Sequence, residues 1–417
     1  MNLFQFVLLG ISFLSIYSAS FHMLTYILYR KEAYEKDIRV RNFKPTVSIV
    51  IPAYNEEKNI ERNIKSALNQ TYPVEVYVVD DASTDRTKEI CEKYSKEGKI
   101  HYFRMEKNRG KVPNVNFVLK NHIKTDLFCV LDADCFYEKD TVEKMIPHFS
   151  NKNVAAVIPT VKIFNPRNWI ERIQSVEYFL ASFLRPLVGL YSGIHTTNGL
   201  TMFRTEAVRK VGYFDERDLT EDMDMCMRLV GKGYKVVSEP RAHAYTLPVS
   251  TLRAFIKQRR RWNTGLVDNF FEHICVVKRV PGMKYITFPL VFAWVGIITG
   301  LFARMAYNIP KSLIDFLETL SAINYDLVFY IKEIILPNPT FVRFNMVTTT
   351  MLLSSAIFLS LLSYSITRLE KRERFKKVIN TPLYGLTYSI LLTLAWLATY
   401  VFMIKNGRVR KGWTHQT

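Results

Sequence analysis

Apolar positions are gathered at the two ends of this chain, with a patterned stretch between them. Residues 2–29 contain no Asp, Glu, Lys or Arg, and Arg30 and Lys31 follow at once. At about 1.5 Å per helical residue, such a run spans a hydrocarbon core of roughly 30 Å. A cleaved leader ending near Ser18-Ala19-Ser20 is the alternative. However, no basic residue precedes the run, and it continues from Phe21 through Tyr29. A retained anchor with its basic end in the cytoplasm is therefore expected. Uncharged runs return only after Lys284, at 285–303, 344–367 and 378–404. Residues 310–342 carry Asp315, Glu318, Asp326, Lys332 and Glu333, which suits an external loop, an amphipathic surface helix or an extra span. The choice sets the side of the C-terminus. One span before the middle and three after it would put Lys405, Arg408, Arg410 and Lys411 outside, against the positive-inside tendency.

The stretch from about 44 to 284 has another rhythm. Residues 47–51 (Val-Ser-Ile-Val-Ile) read as a strand, and 59–69 as a helix with Ile60, Ile64, Ala67 and Leu68 on one face. Further strands are expected at 74–79, 100–104 and 127–131. Ser83 and Asp85 are placed to cap a helix through Thr87, Ile90 and Cys91. This alternation predicts an α/β fold, a mainly parallel sheet with helices on both faces, with transmembrane helices at both ends of the chain. The corresponding division is an anchor at 1–30, a cytoplasmic α/β domain at 44–252, interfacial helices at 253–284 and a membrane region at 285–417. That last region would hold about three spans and an amphipathic or external segment at 308–342. Ligands of such sheets bind beyond the carboxyl ends of the strands. Tyr54-Asn55-Glu56, Asp80-Asp81 and Asp132-Ala133-Asp134 all fall there.

Composition agrees with a chain made of unlike parts. A mean hydropathy of −0.00 coexists with a net charge of +19, from 57 Lys and Arg against 38 Asp and Glu. The apolar content of 48% excludes disorder. Cys91, Cys129, Cys135, Cys226 and Cys275 form no CxxC pair and no zinc spacing, so a disulfide framework is excluded and a reducing compartment fits. Lys and Arg concentrate near the membrane ends and in one segment around 258–261, where anionic lipid and nucleotide account for them; no nucleic-acid partner is expected.

Two carboxylates two residues apart at the end of an apolar run, Asp132 and Asp134, are hard oxygen ligands suited to Mg²⁺ or Mn²⁺. Their plain alternative is a polar loop capping a helix at 141–149. Asp80-Asp81-Ala82-Ser83 also reads as a turn and N-cap. Thr220-Glu221-Asp222 fits the capped first turn of a helix at 223–230. Gln258-Arg259-Arg260-Arg261-Trp262 on its own reads as a solvated basic helix face.

Taken together and in this order, these motifs resemble glycosyltransferase family 2, in particular its membrane-integrated processive branch of hyaluronan, chitin, cellulose and poly-N-acetylglucosamine synthases. The resemblance spans roughly 47–262. It rests on Ile51-Pro52-Ala53-Tyr54-Asn55-Glu56, Val79 to Asp85, Asn108-Arg109-Gly110-Lys111, Asp132-Ala133-Asp134, Thr220-Glu221-Asp222 and Gln258 to Trp262.

The resemblance implies a GT-A-like fold and the following roles. Tyr54 stacks on a nucleotide base, Glu56 lies near the ribose, and Asp81, with Asp80 beside it, reads the uracil edge. Lys111 reaches the nucleotide or diphosphate. Asp134 is the direct metal ligand, with Asp132 nearer the sugar or ribose and sharing the metal site. Asp222, beside Glu221, is the general base. Gln258 and Arg261 hold the diphosphate, Trp262 receives the acceptor sugar, and Asn198-Gly199 forms an acceptor-contacting turn. Arg410 to Thr414 resembles an element that closes over the nucleotide in some relatives. Val112-Pro113-Asn114 departs from the family's usual Ala-rich sequence.

The implied activity is an inverting, metal-dependent transfer from a UDP-sugar to a growing β-linked polysaccharide. The plasma membrane is the expected location, with membrane lipids around the spans and the catalytic domain in the cytoplasm. A non-processive enzyme acting on a lipid-linked acceptor shares the nucleotide site and is the rival activity. An inactive relative serving assembly is the rival of another class.

Overall fold

A computed structural model of the chain describes residues 3–35, 38, 40, 42–329 and 371–406. Helix α1 (Leu3–Arg30) opens it and ends in one wider turn at Lys31–Glu35. Strand β1 (Val47–Ala53) is buried along its whole length. Val47, Ile49, Ile51 and Ala53 enter one core while Val50 enters the other. That two-sided burial explains why β1 reads as an unbroken apolar run.

Three helix–strand steps follow: α2 (Ile60–Leu68), β2 (Glu75–Asp80), α3 (Thr87–Lys96), β3 (His101–Arg104), α4 (Lys111–Asn121) and β4 (Leu127–Val130). Strands β1 and β2, β2 and β3, and β1 and β4 pair in parallel. Ile60 and Ile64 of α2 and Cys91 and Tyr94 of α3 fill the first core, whereas Val115, Val118 and Leu119 of α4 fill the second. Helices therefore cover both faces.

The sheet then departs from the expected pattern. A short β5 (Cys135–Tyr137) and α5 (Thr141–Met145) lead to β6 (Val154–Ile163); the helix expected over 141–149 instead tightens into a 3₁₀ turn at Ile146–Ser150, which contains Pro147. Helix α6 (Trp169–Gly189) starts at a capping box, in which Asn168 Oδ1 accepts from Glu171 N and Glu171 Oε2 accepts from Asn168 N. Strand β7 (Met202–Arg204) is antiparallel to both β4 and β6. After α7 (Thr205–Val211) and α8 (Glu221–Gly231), β8 (Lys235–Thr246) runs parallel to β6 and antiparallel to β5. The order is β3-β2-β1-β4-β7-β6-β8-β5. The sheet is thus mixed rather than mainly parallel beyond β4, because β7 returns from the long α6 against the direction of its neighbours.

Helices α9 (Leu252–Glu272) and α10 (Ile274–Arg279) lead to α11 (Phe288–Ala322), which continues through Pro310 and joins the uncharged run at 285–303 to the start of the charged segment that follows it. Helix α12 (Lys371–Asn406) packs back on the α/β domain, its Leu391 sharing a small core with Ile170 and Ile173 of α6 and Phe255 of α9. Tyr26 and Ala33 at the base of α1 pack with Leu187 of α6. Among the described residues, no helix is long and apolar enough to cross a membrane. The run at 344–367 and the segment Arg410 to Thr414 lie outside the described residues. All five cysteines are free, with Cys275 alone exposed.

Candidate active site

The site is built at the carboxyl ends of β1, β2 and β4. Where β1 ends, Asn55 adopts φ 53° and its loop is laced to the loop after β2. Asn55 N donates to Ser83 Oγ at 3.0 Å, Thr84 N to Asn55 Oδ1 at 2.8 Å, and Glu56 N to Thr87 Oγ1 at 2.8 Å. Ser83 therefore ties the two loops together instead of capping α3; Asp85 Oδ1 accepts from Thr87 N at 3.0 Å. This lacing presents Tyr54, 37% exposed, at the rim of a cleft of ≈ 840 Å³ whose wall includes Lys107, Arg109 and Lys120.

The two neighbouring aspartates divide their work. Asp80 is fully buried, and its oxygens accept from Ser83 N, Tyr102 Oη and Arg104 Nη1 at 2.8–3.1 Å. It braces the loop from behind. Asp81 takes Arg109 N at 2.8 Å and Gly110 N at 2.7 Å. Gly110 turns at φ 92°, a conformation that a Cβ disfavours, and delivers Lys111 as the first residue of α4.

Lys111 is the centre of the cluster. Its Nζ lies 2.7 Å from Asp132 Oδ1 and 2.9 Å from Glu221 Oε1. Burial works against the ammonium, but the two carboxylates raise its pKa well above the usual lysine range. Asp132 is held by its backbone: Asn63 Nδ2 donates to its carbonyl at 2.6 Å, and its N donates to Gly199 O at 3.1 Å. A Cβ on Gly199 would lie 1.9 Å from Asp132 Oδ2, so any larger residue there must displace the Asp132 carboxylate. Burial raises the Asp132 carboxyl, with Lys111 opposing and Asp134 adding to the rise. Asp134 Oδ1 accepts from Cys135 Sγ at 3.0 Å. Glu56 is raised chiefly by burial, and the charges of Asp134 and Asp132 reach it too. The acids after β1 and β4 thus share one electrostatic neighbourhood.

Among the described residues, no three His, Cys, Asp or Glu side chains form a ready-made metal cage. Mg²⁺ and Mn²⁺ in phosphate-handling sites are held by one or two carboxylates plus substrate oxygens. Asp132 and Asp134 supply that donor set, and the Lys111 ammonium already resting on Asp132 Oδ1 marks the position as one that accepts a cation.

Glu221 and Asp222 open α8. Burial by itself would raise Glu221, but Lys111 and then Arg261 hold it below its ordinary value. Asp222 goes the other way, pushed up to about 7 by burial first and by the Glu221 charge second. Its Oδ1 accepts from Met223 N at 2.9 Å, and its carbonyl accepts from Thr197 Oγ1 at 2.9 Å, which anchors the loop before β7 to α8. In that loop Asn198 Oδ1 accepts from Leu200 N and Thr201 Oγ1, both at 3.1 Å, so this amide shapes its own turn. Lys111, Asn198, Gly199, Glu221 and Asp222 line one narrow cavity of ≈ 20 Å³, room for about one water.

The Gln258–Trp262 segment lies on α9, which crosses beside the N-terminus of α8. A Cβ on Gly265 would fall 2.1 Å from Thr220 Oγ1, the residue before α8. Asn269 Nδ2 donates to Asp218 Oδ2 at 2.9 Å and Thr220 Oγ1 at 3.1 Å, latching the two helices. Arg261 is thereby brought within electrostatic reach of Glu221 and Asp222. Trp262 is half-buried beside it, and Gln258 Oε1 is sealed from solvent. Tyr178 of α6 lies within electrostatic reach of both Asp134 and Arg259. Sequence reasoning missed the Asn269 latch and the close approaches at Gly199 and Gly265, which only the packing of distant segments reveals.

A strand-tip cluster of acids and cations on such an α/β sheet is the site of a glycosyltransferase, and this chain belongs to glycosyl transferase family 2. The model of that family matches residues 48–212. The chain is 30% identical over 293 residues to a poly-β-1,6-N-acetyl-D-glucosamine synthase of Staphylococcus aureus, covering 67% of this chain and 70% of that one. It is 28% identical over 318 residues to a synthase of the same description from Staphylococcus epidermidis, covering 74% and 75%. Among solved structures, the mannosyltransferase PcManGT from Pyrobaculum calidifontis, in complex with GDP-Man and Mn²⁺, superimposes with a TM-score of 0.55 at 19% identity. That match covers 94% of this chain and 99% of the other and shares the fold.

Proposed function

We propose that this glycosyltransferase lengthens a β-linked polysaccharide at a membrane surface with a UDP-sugar as donor. The observation that carries the reading is that Lys111 pairs with both Asp132 and Glu221, with Asp222 beside them in one cavity and Arg261 within electrostatic reach of Glu221 and Asp222. The Staphylococcus relatives are poly-β-1,6-N-acetyl-D-glucosamine synthases, so UDP-N-acetylglucosamine is the first donor to test.

Tyr54 stacks on the base and Glu56 approaches the ribose. Asp81 holds the 109–110 loop and keeps unused lone pairs for the base edge. Asp134, with Asp132, would hold Mg²⁺ or Mn²⁺, which when bound neutralises charge on the departing diphosphate. Lys111 and Arg261 bring fixed cations to the same diphosphate, Arg261 with a forked geometry, while Gln258 supports that end of the site. Trp262 offers a flat face to the acceptor's terminal ring, and the Asn198 turn borders it.

In the transfer, the acceptor hydroxyl oxygen bonds to the anomeric carbon opposite the diphosphate, and its proton passes to Asp222. The bond from that carbon to the diphosphate oxygen breaks, the nucleoside diphosphate leaves, and configuration inverts. A carboxyl titrating at about 7 is matched to proton abstraction near neutral pH.

The membrane part of the reading is supported by the uncharged run at 2–29 and by outward-facing apolar residues. Leu24 and Leu28 of α1, Leu313 and Leu317 of α11, and Ile404 of α12 are all exposed. The catalytic domain faces the cytoplasm and the helices guide the growing chain outward, since a long polar glycan does not cross hydrocarbon unaided. The test is UDP release by purified protein with each of several UDP-sugars, with and without chelator. The reading expects one donor to stand out, loss on chelation, and restoration by Mg²⁺ or Mn²⁺. Turnover indifferent to chelator, or absent with every UDP-sugar, contradicts it.

A further inference from the structure

Of the three consecutive arginines before Trp262, Arg261 faces the acids of α8, and Arg259, two residues earlier on the helix, must face elsewhere. Phe255, Arg259 and Trp262 lie at i, i+4 and i+7, one stripe of α9. The Arg259 guanidinium is centred 4.1 Å from the Trp262 ring and 4.7 Å from the Phe255 ring. It is only 2% exposed. Its Nη2 donates to Glu177 Oε2 of α6 at 2.6 Å, while Nε and Nη1 have no hydrogen-bond partner among the described residues. Tyr384 and Tyr388 of α12, stacked at 4.4 Å, pack against the small core that contains Phe255.

A buried guanidinium with one carboxylate partner and two unpaired nitrogens is a poor stability device, since desolvation offsets most of what a buried ion pair gains. Its remaining interactions are with aromatic faces, where a desolvated cation holds a ring in a defined plane. We propose that Arg259 is a positioning residue. It fixes the Trp262 indole as the platform for the acceptor sugar and is itself held by Glu177, next to the core where Tyr384 and Tyr388 of the C-terminal helix pack with Phe255. The inference rests on the reading of Trp262 as the acceptor platform. It adds that the basic segment has two separate jobs: Arg261 serves the donor end and Arg259 serves the acceptor end. It also makes α12 part of the acceptor site, although no residue of α12 is assigned to touch substrate.

The test uses the full-length protein in lipid nanodiscs with Arg259→Met, Arg259→Lys, Trp262→Ala and the Arg259→Met/Trp262→Ala pair. Acceptor KM is measured with a soluble oligosaccharide of the product, alongside donor KM and donor hydrolysis without acceptor. Arg259→Met should raise acceptor KM about tenfold, equivalent to about 1.4 kcal/mol, with donor KM and hydrolysis unchanged. Arg259→Lys, which keeps a cation over the ring, should recover most of that loss. In Trp262→Ala the further change Arg259→Met should add nothing, because the two act as a unit. With 5-fluorotryptophan in the protein, the ¹⁹F resonance that disappears in Trp262→Phe should shift in Arg259→Met.

Donor and acceptor KM rising together, additive effects, or an unmoved Trp262 resonance would overturn the assignment. If Trp262→Ala leaves acceptor KM unchanged, the acceptor reading itself fails. If Trp262→Ala raises it while Arg259→Met is silent, only the role of Arg259 fails.

Discussion

Asp222 and Glu221 are adjacent in sequence yet driven to opposite protonation behaviour, and the difference comes from where Lys111 points. Its Nζ reaches Glu221 and Asp132 directly, leaving Asp222 with burial and a like charge. For an acid whose carboxyl is raised to about 7, the active, ionised form accumulates as pH rises through that value. The kcat/KM profile should therefore climb between about pH 6 and 8 with an apparent pKa near 7 and lose that limb in Asp222→Asn. Asp222→Asn should lower turnover by about 10²–10⁴-fold, the usual range for a general base.

The stability consequence has the opposite sign. The folded protein binds a proton at Asp222 more tightly than the unfolded chain, so this group's contribution falls as pH rises from about 4 to 7. Above pH 7, Asp222→Asn should melt at a higher temperature than the unaltered protein. A second residue-scale expectation concerns Lys111→Met, which strands two acids. It should destabilise by about 1–3 kcal/mol in thermal unfolding, the scale for leaving a charged group without its partner. At this scale most of the site was legible, because acids at strand ends stand out against apolar runs. The bracing of Asp80 was not legible, because its sequence position gives no sign that Ser83, Tyr102 and Arg104 surround it.

Element placement depends on two close approaches that no single segment encodes. Gly265 lets α9 pass against Thr220, and Gly199 lets the loop before β7 lie against Asp132. Gly265→Ala should keep the circular dichroism spectrum of the unaltered protein but cut activity by about 10²-fold, on the scale of a 1 Å misplacement. Unchanged turnover would show that the α8–α9 spacing does not set the geometry of Glu221, Asp222 and Arg261. The first three βα steps were readable from period and capping alone. The antiparallel β7 and the β5–β8 pairing were not, since β5 and β7 are three-residue strands whose partners lie far away in sequence. The continuity of α11 through Pro310 was hidden for another reason. The charges after residue 310 change the hydropathy without breaking the backbone.

For the whole molecule, one catalytic α/β domain is clasped by helices from both ends of the chain. Tyr34 of the turn after α1 donates from Oη to Phe183 O of α6, and Asn263 Nδ2 of α9 donates to Thr399 Oγ1 of α12 at 3.4 Å. Arg260 lies over the Phe402 ring of α12 at 4.7 Å. A sugar-transfer site so joined to apolar terminal helices fits polymer extension at a bilayer. Full-length protein should accordingly float with liposomes in a density gradient. The most direct measurement is the size of the product made from UDP-N-acetylglucosamine at low enzyme occupancy. Long chains present from the earliest time points are predicted; products extended by a single sugar, at every enzyme-to-acceptor ratio, would contradict the account.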